Sequence, residues 1–229
     1  DFCLSRGLGD VYKRQFLYLL IIQPIAFIAL IIYLIAKQQP WKPKGQAGED
    51  RTTDTLAFYD SRAIIVRNLY ITINNKSNEI DIVYIHPTGI FVIENKNYSG
   101  WIFGSQDQRY WTQTFKNGRK YKFYNPIMQN ETHTKIIINE LKSHNINTDS
   151  FPVYSVVVFN KDNLRNINLY NTKTIVTTQS DLIQTISNFT FNMPERVDVL
   201  KISNILWQYT NADETTKINH IRQIQERYH

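Results

Sequence analysis

Residues 79–96 read Glu79-Ile80-Asp81-Ile82-Val83-Tyr84-Ile85-His86-Pro87-Thr88-Gly89-Ile90-Phe91-Val92-Ile93-Glu94-Asn95-Lys96. Two β-branched apolar runs, 80–85 and 90–93, are separated by His-Pro-Thr-Gly, a turn signal, so the stretch predicts a β-hairpin. An acidic residue opens the first strand and another closes the second. In an antiparallel pair those two ends lie side by side. Asp81 and Glu94, 13 positions apart, are therefore expected to meet. Glu94 and Lys96 differ by two and point to one face. Two carboxylates and an amine beside a β-branched core are the parts of a metal-dependent phosphodiesterase site. Carboxylate oxygens hold a hard divalent cation such as Mg²⁺ or Mn²⁺. The cation polarises a phosphoryl group and activates water, and the amine steadies developing charge.

Working outward, residues 63–73 predict a strand before the hairpin, and 101–104 and 109–115 two further strands after it. Lys116-Asn117-Gly118-Arg119-Lys120 reads as a turn flanked by cations, and Lys122 continues the charge among Tyr121, Phe123 and Tyr124. That basic, aromatic strip suits a phosphate backbone and stacked bases, or is an ordinary solvated hairpin. Trp111 reads as core, with a base-stacking surface as the other possibility. Asn125 and Pro126 cap and open a helix over 125–141, on which Gln129 and His133 share a face. Residues 152–159 form a near-continuous apolar run, the mark of a strand buried on both faces. Another short strand is expected at 174–177, a helix after Asp181, and a last helix starting at Met193-Pro194-Glu195. The order predicts an α/β fold with a central mixed β-sheet flanked by helices.

The pattern Asp-x(12)-Glu-x-Lys resembles the PD-(D/E)XK nuclease superfamily. More narrowly, Glu-Ile-Asp-x(7)-Gly-Ile-Phe-Val-Ile-Glu-Asn-Lys-Asn-Tyr-Ser-Gly, with Gly48-Glu49 upstream and Asn125-Pro126-x(2)-Gln129 downstream, resembles the nuclease-related domain (NERD) family. The resemblance implies a restriction-endonuclease-like core that hydrolyses nucleic acid, DNA before RNA, with Mg²⁺ or Mn²⁺. It implies Asp81, Glu94 and the backbone carbonyl of Asn95 as metal ligands and Lys96 as the group orienting water. Glu49, by itself a first-turn acid compensating a helix dipole, becomes a third carboxylate. Gln129, by itself a surface glutamine, becomes a partner of Lys96 or substrate. Lys116, Arg119, Lys120, Lys122 and Trp111 are the weaker candidates for nucleic-acid contact. The alternative is a catalytically inactive module that binds nucleic acid or protein.

The 229 residues carry a net charge of +6, but residues 45–229 hold 20 basic and 18 acidic side chains. The high isoelectric point therefore argues for local basic patches at most. One cysteine, Cys3, excludes an intramolecular disulfide and a Cys-based zinc site. The five histidines lack zinc-ligand spacing, and there is no Gly-x(4)-Gly-Lys phosphate loop. Residues 1–15 read as a doubtful leader, because 7–15 resembles translated adapter sequence. An ordinary extramembrane terminus is the alternative. Residues 16–36 are 21 residues without a charge. At ~1.5 Å per residue they span the ~30 Å of a bilayer core, so a single transmembrane helix is expected. Lys37, Lys42 and Lys44 favour a cytoplasmic domain beyond it. A linker over 37–46, the nuclease-related domain over 47–190 and a C-terminal helical extension over 191–229 complete the expected organisation.

Overall fold

The computed structural model describes residue 18 and residues 23–31, 44–74 and 76–210. The leader, and most of the expected membrane segment and linker, lie outside the described residues. Residues 23–31 are helical. No helix among the described residues is long and apolar enough to cross a membrane.

From Lys44 onward the chain builds one α/β unit. Helix α1 (Lys44–Tyr59) leads into β1 (Ile64–Ile73), β2 (Lys76–His86) and β3 (Gly89–Lys96). Strands β4 (Trp101–Ser105), β5 (Tyr110–Thr114) and β6 (Lys120–Tyr124) precede α2 (Pro126–Ser143). Then follow β7 (Val153–Phe159), β8 (Leu164–Asn168), β9 (Ile175–Thr178), α3 (Leu182–Thr190) and α4 (Val199–Trp207). Five strands form a central mixed sheet in the order β1-β2-β3-β7-β9, antiparallel up to β3 and parallel beyond it. The other four form a second sheet in the order β6-β5-β4-β8. Alternation explains the layering. Ile90 and Val92 face one core with Ile137, Leu141, Ile202 and Leu206, from α2 and α4. Phe91 and Ile93 face the other, with Leu56, Leu182 and Ile186 from α1 and α3. The central strands are thus sandwiched by helices on both faces.

The expected hairpin is present, with Pro87 and Thr88 as its turn between paired His86 and Gly89. His86 is buried there, its Nε2 3.0 Å from Asp60 Oδ2 and its Nδ1 2.8 Å from Thr88 Oγ1. The helix expected from 193 starts instead at Val199, where the Asp198 side chain accepts from Lys201 N. The backbone N–H groups of Arg196 and Val197 donate to Pro87 O, which holds the intervening chain extended against the hairpin turn. Helix α1 begins at Lys44 and so takes in the last three residues of the expected linker. Its buried face is Gly48, Thr52 and Leu56, while Phe58 is exposed. On α2, Met128 and Thr132 fall outside the buried stripe, whose members include Ile127, Asn130, His133 and Ile137.

Two polar residues fix helices to the sheet. Asn130 is fully buried, and its Nδ2 lies within 3.0 Å of Val92 O, Ser155 Oγ and Val156 O, across the β3–β7 pair. Replacing Asn130 by Leu should lower unfolding free energy by about 1–3 kcal/mol, the usual penalty for stranding buried partners. Urea denaturation measures it, and an unchanged midpoint refutes the role. On the other face, Gly48 O accepts from Asn160 Nδ2 at 3.0 Å, and a Cβ at Gly48 would stand 2.7 Å from Asn160 Oδ1. A side chain there would push α1 off the end of β3.

Candidate active site

The site forms where the central sheet stops being regular. In an unbroken strand residues two apart share a face. Yet Ile80 packs in the core of α2 and α4 and Ile82 in the core of α1 and α3. The pleat slips by one residue at Asp81. On β1 the same slip occurs opposite it: Val66 and Leu69, three apart, share a core, and Asn68 between them takes φ +52°. The slip leaves Asp81 without a ladder partner on either side: pairing with β1 skips from Ile82–Arg67 to Ile80–Leu69, and pairing with β3 stops at Ile82–Ile93. Asp81 Oδ2 instead accepts the Asn95 N–H at 2.8 Å, capping a backbone donor that β2 no longer reaches. Asn95 thereby turns its peptide edge to Asp81, whereas the carbonyl of Lys96 faces the other way and accepts from Asn160 N.

Glu94 and Lys96 project from β3 toward α2, as the spacing predicted. Lys96 Nζ lies 2.5 Å from Glu94 Oε1 and donates to Gln129 Oε1 at 3.1 Å. Glu94 Oε2 is buried without a hydrogen bond; His133 Nδ1 stands 3.2 Å away but off hydrogen-bond geometry. Asp81, Glu94, Lys96 and Gln129 therefore come together. His133 joins them, although its sequence context suggested only a passive neighbour of Gln129.

Glu49 lies one layer out. Its Oε2 is 3.7 Å from Arg67 Nη2, which is 2.8 Å from Asp50 Oδ1. Burial raises the Glu49 pKa; Arg67 opposes this, while Glu79, Asp50 and Glu94 add to it. Glu79 sits within β2 and accepts from Tyr70 OH at 2.6 Å. Arg67 and Asp50 were not picked out from sequence. Both are the sort of group that acquires meaning only when β1 and α1 are placed beside the hairpin.

The electrostatics divide the two central carboxylates. Burial disfavours charge on both. For Glu94, the Lys96 ammonium and the neighbouring His133 outweigh burial and hold the pKa below the usual carboxylate range. For Asp81, burial is joined by repulsion from Glu94, and Lys96 and the Asn95 N–H only partly offset them, so its pKa is raised. Lys96 is driven the other way: burial opposes its charge, but Glu94 and Asp81 overcome it and raise its pKa. A lysine so held is a hydrogen-bond donor and a positive charge, not a base.

The donor set fits a hard divalent cation: two carboxylates, one with an orphaned buried oxygen, and a backbone edge turned to Asp81. Among the described residues no group of three or more His, Cys, Asp or Glu side chains is arranged to hold a metal, so Glu49 does not complete a three-carboxylate shell in this geometry. Of the weaker candidates, Lys116, Arg119, Lys120 and Lys122 are exposed on or beside β6. Trp111 is fully buried, its Nε1 donating to Ser105 O, so it is core and offers no face to a base.

These features sit inside a recognisable sequence family. The profile described as nuclease-related domain, NERD, matches residues 44–160, from the first residue of α1 to the end of β7. The chain belongs to the nuclease-related domain family. It is also similar to an uncharacterized protein from Bacillus anthracis, 28% identical over 209 residues that cover 89% of this chain and 95% of that protein.

Proposed function

We infer that this domain is a Mg²⁺- or Mn²⁺-dependent nuclease of the PD-(D/E)XK type, with a restriction-endonuclease-like core. The observation that carries the reading is geometric: Asp81, Glu94 and Lys96 converge at the end of the hairpin, with Lys96 Nζ against Glu94 Oε1 and Glu94 Oε2 buried without a hydrogen bond. Asp81, Glu94 and the Asn95 carbonyl would hold the ion, which supplies phosphoryl polarisation and a water of lowered pKa. Lys96, fixed between Glu94 and Gln129, donates to the attacking water or to the charge building on phosphate. Gln129 keeps the ammonium aimed. Glu49 and Arg67 add an outer layer that balances the acidic site. DNA is the first substrate to test. Residues 16–36 would tether the domain to a membrane, with the domain on the cytoplasmic side.

The test is digestion of plasmid and oligonucleotide substrates with and without Mg²⁺ or Mn²⁺. Lys96→Ala should reduce cleavage at least about a hundredfold, the scale for removing one preorganised charge-stabilising donor. Metal-dependent cleavage by the purified Lys96→Ala protein at the parental rate refutes the assignment. A second reading, binding without cutting, is favoured by the lack of a third side-chain ligand among the described residues. It predicts no cleavage with either metal and binding that survives Asp81→Ala.

A further inference from the structure

The second sheet has one face in the core and one outside it. Ile102, Trp111 and Phe123 pack against Ile127, Val157 and Phe159. The register places Trp101, Thr114 and Lys120 in one cross-strand row, and Phe103, Thr112 and Lys122 in the next. Tyr110 pairs with Tyr124 in a third, their rings edge to face at 6.2 Å. Paired residues share a face, and the buried residues occupy the alternate positions. These rows lie on the side of the sheet away from that cluster, with Trp101, Tyr110, Lys120 and Lys122 exposed and Phe103 and Tyr124 half-buried, and none of their side chains belongs to a hydrophobic cluster of the described residues. Trp101 is 40% exposed.

Charge is concentrated here. Residues 101–124 carry five basic side chains against Asp107 alone, although residues 45–229 as a whole are nearly balanced. At one end a cleft of about 510 Å³ is lined by Trp101, Phe115, Lys116, Asn117, Asp162 and Arg165. It is joined to the catalytic strand: Trp101 follows Lys96 by five residues, at most ~18 Å of extended chain. Asn163, beside the cleft, donates to Tyr98 O at 2.9 Å and fixes that connection.

We propose that the outer face of the β6-β5-β4-β8 sheet is a platform for single-stranded nucleic acid, which it leads to the site around Lys96. Bases stack on Trp101, Phe103 and the Tyr110–Tyr124 pair. Phosphates run along Lys120, Lys122 and the cleft cations Lys116 and Arg165. An open sheet bearing aromatics between cations matches unpaired bases, whose faces are free, and not the closed stack of a duplex. The inference rests on the nuclease reading for the class of ligand and names the form that ligand takes.

Fluorescence anisotropy on the full chain in non-ionic detergent, with EDTA to prevent cleavage, tests it. The probes are labelled oligothymidylate of about 16 nucleotides and a blunt duplex of equal length. Single strands should bind at least about tenfold tighter than duplex. Trp101→Ala should weaken single-strand binding about tenfold, and Lys120→Glu with Lys122→Glu should weaken it and flatten its salt dependence. Circular dichroism melts, unchanged for these exposed substitutions, exclude misfolding. Equal binding of the two probes, or variants that bind single strands as the parent does, overturns the platform. Tight single-strand binding in a protein that never cleaves with Mg²⁺ or Mn²⁺ upholds the platform and defeats the nuclease reading. Cleavage with the platform variants binding normally does the reverse.

Discussion

Glu94→Gln is expected to lower unfolding free energy by about 3 kcal/mol and to abolish metal-dependent cleavage. The substitution keeps the side chain's shape and removes only its charge. Lys96 is then left in the interior without the carboxylate 2.5 Å from its Nζ. Breaking a buried pair from one side typically costs ~3–5 kcal/mol, because one ion stays desolvated and unpaired. The lower end is expected here, because relief from Glu94 lets Asp81 ionise in its place. Lys96→Met should destabilise in the same way, by leaving the buried Glu94 carboxylate without its cation beside the half-buried Asp81. The double variant should lose much less than the sum. A double-mutant cycle by urea denaturation measures the coupling; additive losses would show that Glu94 and Lys96 do not support each other. The acid limb carries the same sign. The Glu94 pKa is lowered from the ordinary 4.5, so its contribution is present above 4.5 and is lost as pH falls toward the folded value.

The meeting of the candidate site residues was legible because it follows from local spacing. Asp81, Glu94 and Lys96 lie on one hairpin, and period-two alternation with a two-residue turn suffices to bring them together. Gln129 and Gly48 were legible only through resemblance. Nothing in a single glutamine tells that its helix will dock beside Lys96, and nothing in one glycine tells that Asn160 will press on it. His133 shows the same limit from the other side. Its spacing from Gln129 was visible, but its meaning needed the α2–β3 distance.

Elsewhere tertiary contacts overruled pattern. Strand β8 escaped notice because Asn166, at φ +46°, bulges it, so that Leu164 and Ile167 reach the same core three residues apart. Period two is lost and the segment reads as an asparagine-rich loop. Met193-Pro194-Glu195 had the form of a helix start, but Pro87 O claims the N–H groups of Arg196 and Val197. The double slip at Asn68 and Asp81 is the deepest case. Its strands look regular in sequence, and their equal extra residues leave the pairing register unchanged on either side. What alters is the side of the sheet each apolar residue faces, and this is what frees Asp81 to cap Asn95. Asn68 takes the left-handed region that asparagine, with its short polar side chain, adopts more readily than other non-glycine residues.

Asp81→Asn should have the opposite effect on stability to Glu94→Gln, although both end cleavage. Asp81 is half-buried beside a second carboxylate, and the partial loss of water and the nearby Glu94 together raise its pKa from the ordinary 3.8. The unfolded chain gives up this proton more readily than the folded one. Between the two values the folded state binds the extra proton, so stability falls as pH rises through that window. Below 3.8 the carboxylate carries no penalty; above it the penalty grows until the pH passes the raised folded value. An asparagine keeps the shape, and its Oδ1 accepts the Asn95 N–H as the carboxylate did. The variant should therefore melt with the parent near pH 4 and increasingly above it toward pH 8. Each kcal/mol gained moves the midpoint of a domain this size by roughly 2–4 °C. Calorimetric or circular-dichroism melts across that range, in EDTA, give the difference. A parent that melts higher than Asp81→Asn at neutral pH would mean that Asp81 is stabilised as an anion without any metal. The charge conflict at Asp81 would then no longer be stability given up for cation binding.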